Sequence, residues 1–389
     1  MKKVTIKPSD QRSAVVTILL FIASFAAFAQ TGDYARFDKQ AAAIAASLDD
    51  NDLAAQVLLT GIDGRLSLVP AMRSLLERIP AGGIMLFRYN LDSSKEEVKK
   101  LLAESAAAAI GKAGIPPFMA VDHEGGLVHR FGPGVERLPS AYSFWELAQT
   151  EGRGAALTRA ETLYRRSAAE IRELGITMVL GPVAEILDND NRAFLETRSY
   201  GSDLDFVQSA ASVFIRSMDA AGVVSVVKHF PGNSAADPHG GASFLNAGKN
   251  GLDEMTRPFA GIIRSLDVPA LMVSHVMVPA LDSQKNASLS RPVIEGWLRN
   301  ELGFKGIVLA DDFSMAAVAA SGLSPAAAAV EALNAGVDLI MVWPQNIAAV
   351  HAAILEALRS GRLSRQRLRE AAGRIIREKI RYGIVALSE

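Results

Sequence analysis

The sequence predicts a (β/α)8 TIM-type barrel, and three observations carry that prediction. Eight short apolar runs recur along the chain, each four to seven residues of mostly Val, Ile, Leu, Met, Phe and Ala. Amphipathic stretches separate them. Several runs end abruptly in charge, as in Asp122-His123-Glu124, Lys228-His229 and Asp311-Asp312. An uninterrupted apolar strand belongs to a sheet buried on both faces, which needs helices to cover it. Eight such units close into a barrel whose functional groups stand at the C-terminal ends of the strands. An open doubly wound sheet is the alternative reading of the same alternation.

In chain order, the first feature precedes the barrel. Lys2, Lys3, Lys7 and Arg12 lead into the apolar run "AVVTILLFIASFAAFA", which ends in Ala27-Phe28-Ala29. A basic start, an apolar core and an A-x-A end predict a signal peptide over 1–29. The protein is then expected to be exported, periplasmic or secreted, without stable membrane insertion after cleavage; a retained anchor is the alternative. Residues 30–389 read as one domain.

The eight runs are "QVLLTG" (56–61), "GGIMLF" (82–87), "PFMAVD" (117–122), "ITMVLG" (176–181), "VVSVVKH" (223–229), "ALMVSH" (270–275), "GIVLAD" (306–311) and "DLIMVW" (338–343). Helical patterns between them include "SKEEVKKLLAESAAAAIGKAG" and "RPVIEGWLRNELG". The last, "LSRQRLREAAGRIIREKIRYG", places Leu368, Ala372, Ile375 and Ile380 at helical spacing, with Ser364 as N-cap and Gly383 as stop. Its arginines read as the solvated face of a helix that closes the barrel. Met85, Met119, Met178, Met272 and Met341 fall inside strands and read as core.

Composition excludes several classes of function. The chain of 389 residues is 49% hydrophobic and 21% charged with a net charge of −1, so no electrostatic case exists for a nucleic-acid partner. Cysteine is absent, which removes disulfides, thiolate catalysis and cysteine metal sites. No P-loop or G-x-G-x-x-G cradle is present. A metal site would have to use His229, His239, Asp237 and Asp122, but Lys228 beside them would repel a cation and no H-E-x-x-H spacing occurs. Neither a metal nor another cofactor is expected.

The stretch "VVKHFPGNSAADPHGG" (226–241) concentrates chemistry in a Gly- and Pro-rich loop after a strand. A surface turn needs neither Lys228 and His229 nor Asp237 and His239. Glycoside hydrolysis needs one carboxylate at the anomeric carbon and a separate proton donor. Asp311 ends a strand, which fixes its carboxylate at the rim. Asp237, two residues before His239, suits an orienter beside an acid/base, since a carboxylate fixes an imidazole's tautomer and favours its protonated form. Asp312 is read as holding its loop, His129 and His351 as structural. Trp343, at a strand end, is the better candidate to stack on a sugar; Trp145 is placed in a loop.

The motifs "KHFPG" with D-x-H, "DHEGGLVHRF", "TRSYG", "SHVMVPALD", "ASLSRPVIEGWLR" and "ADDFSM" together resemble glycoside hydrolase family 3, in particular its single-domain β-N-acetylglucosaminidase branch. The resemblance runs from "LTGIDG" to the last helix. It implies a barrel enzyme that removes terminal β-linked N-acetylhexosamine from small glycan substrates, cell-wall or chitin-like, with retention through a covalent glycosyl-enzyme. By that likeness Asp311 is the nucleophile, Asp237 and His239 are the acid/base dyad, and Asp122, Arg130, Arg198, Lys228 and His229 bind sugar hydroxyls. His275 lies in the matching sixth-strand motif. Charged hydrogen bonds to hydroxyls contribute roughly 1.5–3 kcal/mol each, so several orient one ring.

The sequence departs from that pattern at Asn233-Ser234, where the family has His-Gly, at Glu185 in place of Asp, and at His123 and Leu127. Other readings stand beside the hydrolase. A histidine acid/base carries no negative charge as a base, so phosphate can replace water and make a phosphorylase. Another family 3 β-glycosidase, a sugar-binding protein on the same barrel, and an aldolase using Lys228 complete the alternatives.

Overall fold

The computed structural model describes residues 34–386 apart from Ala235 and the segment 237–239. The predicted signal peptide and the Asp237/His239 pair lie outside the described residues.

Ten strands occur among the described residues: β1 (Leu58–Gly61), β2 (Gly83–Leu86), β3 (Phe118–Asp122), β4 (Met178–Val183), β5 (Val224–Phe230), β6 (Ala270–Val273), β7 (Met277–Val278), β8 (Asp282–Asn286), β9 (Ile307–Ala310) and β10 (Leu339–Val342). Eight of them, β1–β6 with β9 and β10, form a closed parallel barrel, so the predicted fold is borne out and the open sheet is excluded. Closure is made by β1 on β10, with Leu58 opposite Ile340 and Thr60 opposite Val342. Each predicted apolar run supplies one barrel strand. The strands are buried almost throughout, as a sheet lined by side chains within and helices without must be. The antiparallel pair β7–β8 is an excursion between β6 and the following helix.

Helices follow each strand as local chemistry dictates. Lys95–Ala109 begins with a capping box in which Ser94 and Glu97 satisfy each other's backbone N–H groups. "RPVIEGWLRNELG" winds as a π-helix over Pro292–Glu301, with the Leu302 N–H reaching the Trp297 carbonyl at 2.9 Å. Arg365–Arg381 has Ser364 as its N-cap, buries Leu368, Ala372, Ile375 and Ile380, and is followed by Gly383 at φ +65°.

The arginines of that last helix are not a solvated face. Arg367 and Arg374 each approach Asp338 at 2.9 Å, and Arg299 joins them at 2.6 Å. Arg377 pairs with Asp38 and Glu378. Asp338 precedes β10 and is fully buried at the barrel floor. Its carboxyl is held ionised because three guanidinium groups outweigh the burial that would raise it. The helix therefore docks through charge as well as through its apolar stripe. Trp145 likewise sits on helix Ala141–Glu151 and not in a loop, against Phe206 at 5.4 Å between ring centroids.

Candidate active site

The barrel ends its strands in the groups the sequence singled out. On β5, pairing with β6 runs Val226–Ala270 and Val227–Leu271, then resumes at Phe230–Val273. Three residues of β5 thus face two of β6, and Lys228 and His229 occupy this bulge. A bulge re-aims side chains where regular alternation would send one outward. Both residues are buried, and the peptide bond between them is cis.

Lys228 is held by two carboxylates. Its ammonium donates to Asp122 Oδ1 at 2.8 Å and lies 2.6 Å from Glu124 Oε1. Burial alone would lower its pKa, but these two charges raise it above the ordinary lysine value. An ammonium paired with two carboxylates is poorly disposed to act as the amine nucleophile an aldolase needs. Arg198 clasps Glu124 in a fork, Nε to Oε2 at 2.8 Å and Nη2 to Oε1 at 2.9 Å. Lys228 and Arg198 hold Glu124 well below the usual carboxylate range despite its burial. Arg130 stands 3.9 Å from Asp122 Oδ2, and its buried Nε meets no hydrogen-bond partner among the described residues.

His229 connects this cluster to β4. Its Nδ1 donates to Glu185 Oε1 at 2.7 Å, because a carboxylate only accepts. Nε2 then accepts from Arg198 Nη2 at 3.4 Å. Glu185 also takes both bonds of the Asn233 amide. The next residue, Ser234, meets Ser243 through their hydroxyls at 2.7 Å, and Ser243 accepts the Met277 N–H through its carbonyl at 2.7 Å. Asn233 and Ser234, two of the residues that depart from the family pattern, thus anchor the stem of the loop carrying Asp237 and His239.

Asp311 follows β9. Its Oδ1 accepts the Asp312 N–H at 2.9 Å, leaving Oδ2 outside that bond. Burial would raise this carboxyl; the His229 and His275 rings, the Asp312 N–H and the Lys228 ammonium bring it below the ordinary aspartate value. His275 is itself buried, which lowers its pKa, with Asp311 and Asp312 opposing. Its Nε2 donates to the Asp312 carbonyl at 3.0 Å and its Nδ1 contacts Ser288 Oγ at 2.7 Å. The Asp312 carboxylate accepts from the Ser314 N–H at 2.7 Å and from Trp343 Nε1 at 2.8 Å, as a loop-holding residue does.

Asp122, Arg130, Arg198, Lys228 and His229 are therefore one connected cluster, with Asp311 and His275 in electrostatic reach of it. Glu124 and Glu185 bind that cluster together and were not singled out from the sequence as site residues. In the sequence Glu124 stood in the charged run Asp122-His123-Glu124, with nothing to mark it apart from Asp122. His123 is buried on Ser167 and packs with His129 and Phe131, and His351 contacts the Asn51 carbonyl, so both His129 and His351 serve packing. In "TRSYG", Gly201 has φ +104°, and a Cβ there would lie 2.6 Å from the Trp145 ring. No group of three His, Cys, Asp or Glu fit to hold a metal occurs among the described residues.

Residues 56–378 match the glycosyl hydrolase family 3 N terminal domain. The chain belongs to glycosyl hydrolase family 3. That match begins just before β1 and ends within the last helix, so it takes in every barrel strand and the charged cluster at their C-terminal ends.

Among family 3 relatives, the chain is 33% identical to a beta-hexosaminidase of Methylococcus capsulatus, with 82% of this chain and 91% of that one covered. It is 27% identical to Beta-hexosaminidase A of Pseudoalteromonas piscicida over 80% of this chain, and spans only 55% of that protein's length. A family 3 beta-N-acetylglucosaminidase from Paenibacillus superposes with a TM-score of 0.79 at 32% identity, covering 88% of this chain and 65% of that one.

Proposed function

We propose that the protein is a retaining exo-β-N-acetylglucosaminidase acting on terminal β-linked N-acetylhexosamine of cell-wall or chitin-like glycans. The observation that carries this reading is the setting of Asp311: a carboxylate at a strand end, kept ionised beside a cationic and histidine-rich cluster. Relatives named beta-hexosaminidase and the likeness to a beta-N-acetylglucosaminidase support the acetamido sugar.

In the first step Asp311 attacks the anomeric carbon as the bond to the leaving oxygen breaks, and His239 gives that oxygen its proton. In the second, water attacks the same carbon and passes a proton to His239, which frees Asp311. Asp237 orients the imidazole. Asp122, Arg130 and the charged groups around Lys228 hold the ring hydroxyls and spare the nucleophile from a mobile solvent shell. The basic, apolar and A-x-A start of the chain supports an exported enzyme.

The test compares chromogenic β-N-acetylglucosaminide with β-glucoside, using wild type and Asp311→Ala. Strong preference for the acetamido sugar, lost in the variant, together with β-configured first product by NMR, is the expected result. Equal rates on both sugars, α-configured first product, or sugar 1-phosphate in phosphate buffer each contradict it.

A further inference from the structure

The polar cluster at the barrel mouth occupies the arc from β3 to β5, and the neighbouring arc from β10 through β1 to β2 is built differently. Trp343 follows β10 and is half-buried. Its indole N–H lies 2.8 Å from Asp312 Oδ2 and 2.8 Å from Ser314 Oγ, which fixes the ring's rotation. Phe87, after β2, meets it edge-on with centroids 4.9 Å apart, and Tyr89 stacks on Phe87 at an interplanar angle of 6°. Gly61, at the end of β1, makes room: a Cβ there would lie 3.3 Å from the indole. Tyr89 is among the few large apolar side chains left exposed among the described residues.

This wall touches Asp312, whose own N–H holds the nucleophile's carboxylate. A sugar ring seated on the charged cluster has its hydroxyls accounted for, and a second ring joined to it needs a flat apolar surface for its C–H face. An aromatic ring locked by its N–H supplies that surface at little entropic cost.

We propose that Trp343, packed on Phe87, is the platform on which the leaving-group sugar rests, so that it selects saccharide leaving groups over small ones. The inference rests on the hydrolase reading above. Asp312 and Ser314 position the indole.

The experiment measures kcat/KM for N,N′-diacetylchitobiose and for N-acetyl-β-glucosaminyl fluoride, which share the sugar whose anomeric carbon is attacked and differ in whether the leaving group is a second ring. In Trp343→Ala the chitobiose-to-fluoride ratio is expected to fall roughly tenfold, mainly through KM for chitobiose. Trp343→Phe, which keeps a smaller ring, is expected to recover part of the ratio and serves if the alanine variant does not fold. A ratio unchanged in both variants, with wild type active, overturns the platform. So does a parallel fall on both substrates, which would place the indole's effect on Asp311 through Asp312. Wild type inactive on both substrates overturns the hydrolase reading instead.

Discussion

The side-chain amide of Asn233 donates to both oxygens of Glu185, at 2.9 and 3.1 Å, while the same carboxylate receives the Nδ1 proton of His229 at 2.7 Å. All three residues are buried, so the root of the loop bearing Asp237 and His239 and the ring beside Asp311 share one acceptor.

Removing the amide should therefore loosen the root of the loop that carries the proposed acid/base pair and leave the rest of the barrel intact. Asn233→Ala strips a buried carboxylate of two bonds, a loss of about 1–3 kcal/mol. We expect a lower melting temperature and a fall in kcat larger than the change in KM. Asn233→Asp should be worse, since it buries a second carboxylate against Glu185. Thermal unfolding and steady-state kinetics of both variants check the order; equal kcat in all three proteins would refute it.

Lys228 bridges Asp122 and Glu124, and truncating it leaves two carboxylates without their shared cation. Breaking a buried pair in this way costs about 3–5 kcal/mol. Lys228→Met should lose stability on that scale and most activity. Glu124→Gln should keep the fold better but weaken the hold on Arg198. Denaturant midpoints with unchanged slopes would separate these effects from a general collapse of structure.

The pH dependence of kcat/KM should show an acid limb below the ordinary aspartate value. As the proposed nucleophile, Asp311 must be ionised to attack, and its surroundings lower its pKa. As pH falls, the nucleophile is lost only on passing that depressed value. Rates measured over a pH range in which the enzyme refolds without loss provide the check; an acid limb centred above the ordinary aspartate value contradicts it.

Lys379, buried at the barrel floor with its ammonium on Gln56 Oε1 at 2.9 Å, has its pKa pushed down to about 7 by burial. Its folded value lies below the unfolded one, so between about 7 and 10.5 the unfolded chain binds more protons. Stability from this group therefore rises with pH through that window, by up to about 1.4 kcal/mol per unit. Lys379→Met should be more stable than wild type near pH 6, with the difference shrinking by pH 9. A difference that stays constant with pH would show that the lysine is not titrating there.

The eight barrel strands were legible because each is a continuous apolar run, which a sheet covered on both sides requires and which no turn interrupts. β8 was not, since "DSQKN" is polar and short and takes its strand form only by pairing with β7. Asp311 stood out because charge at the end of an apolar run has no packing explanation, and Asp237 and His239 because a surface turn needs neither. Glu124 did not stand out, because its partners, Arg198 and Lys228, are brought to it only by neighbouring strands. The arginines of the last helix failed for a related reason. Helical spacing marks a polar face but does not reveal that Asp338 waits beneath it.

The pairing of β1 with β10 has a consequence for how the protein is made. During synthesis, β1 leaves the ribosome first among the strands and has no partner on one edge until nearly the whole chain has followed. Arg365 reaching Asp50 and Lys379 reaching Gln56 then tie the final helix to the first residues of the barrel. A nascent chain halted before residue 339 would expose two unpaired strand edges at once, on β1 and β9, and so present chaperones with a sticky ribbon in place of a ring.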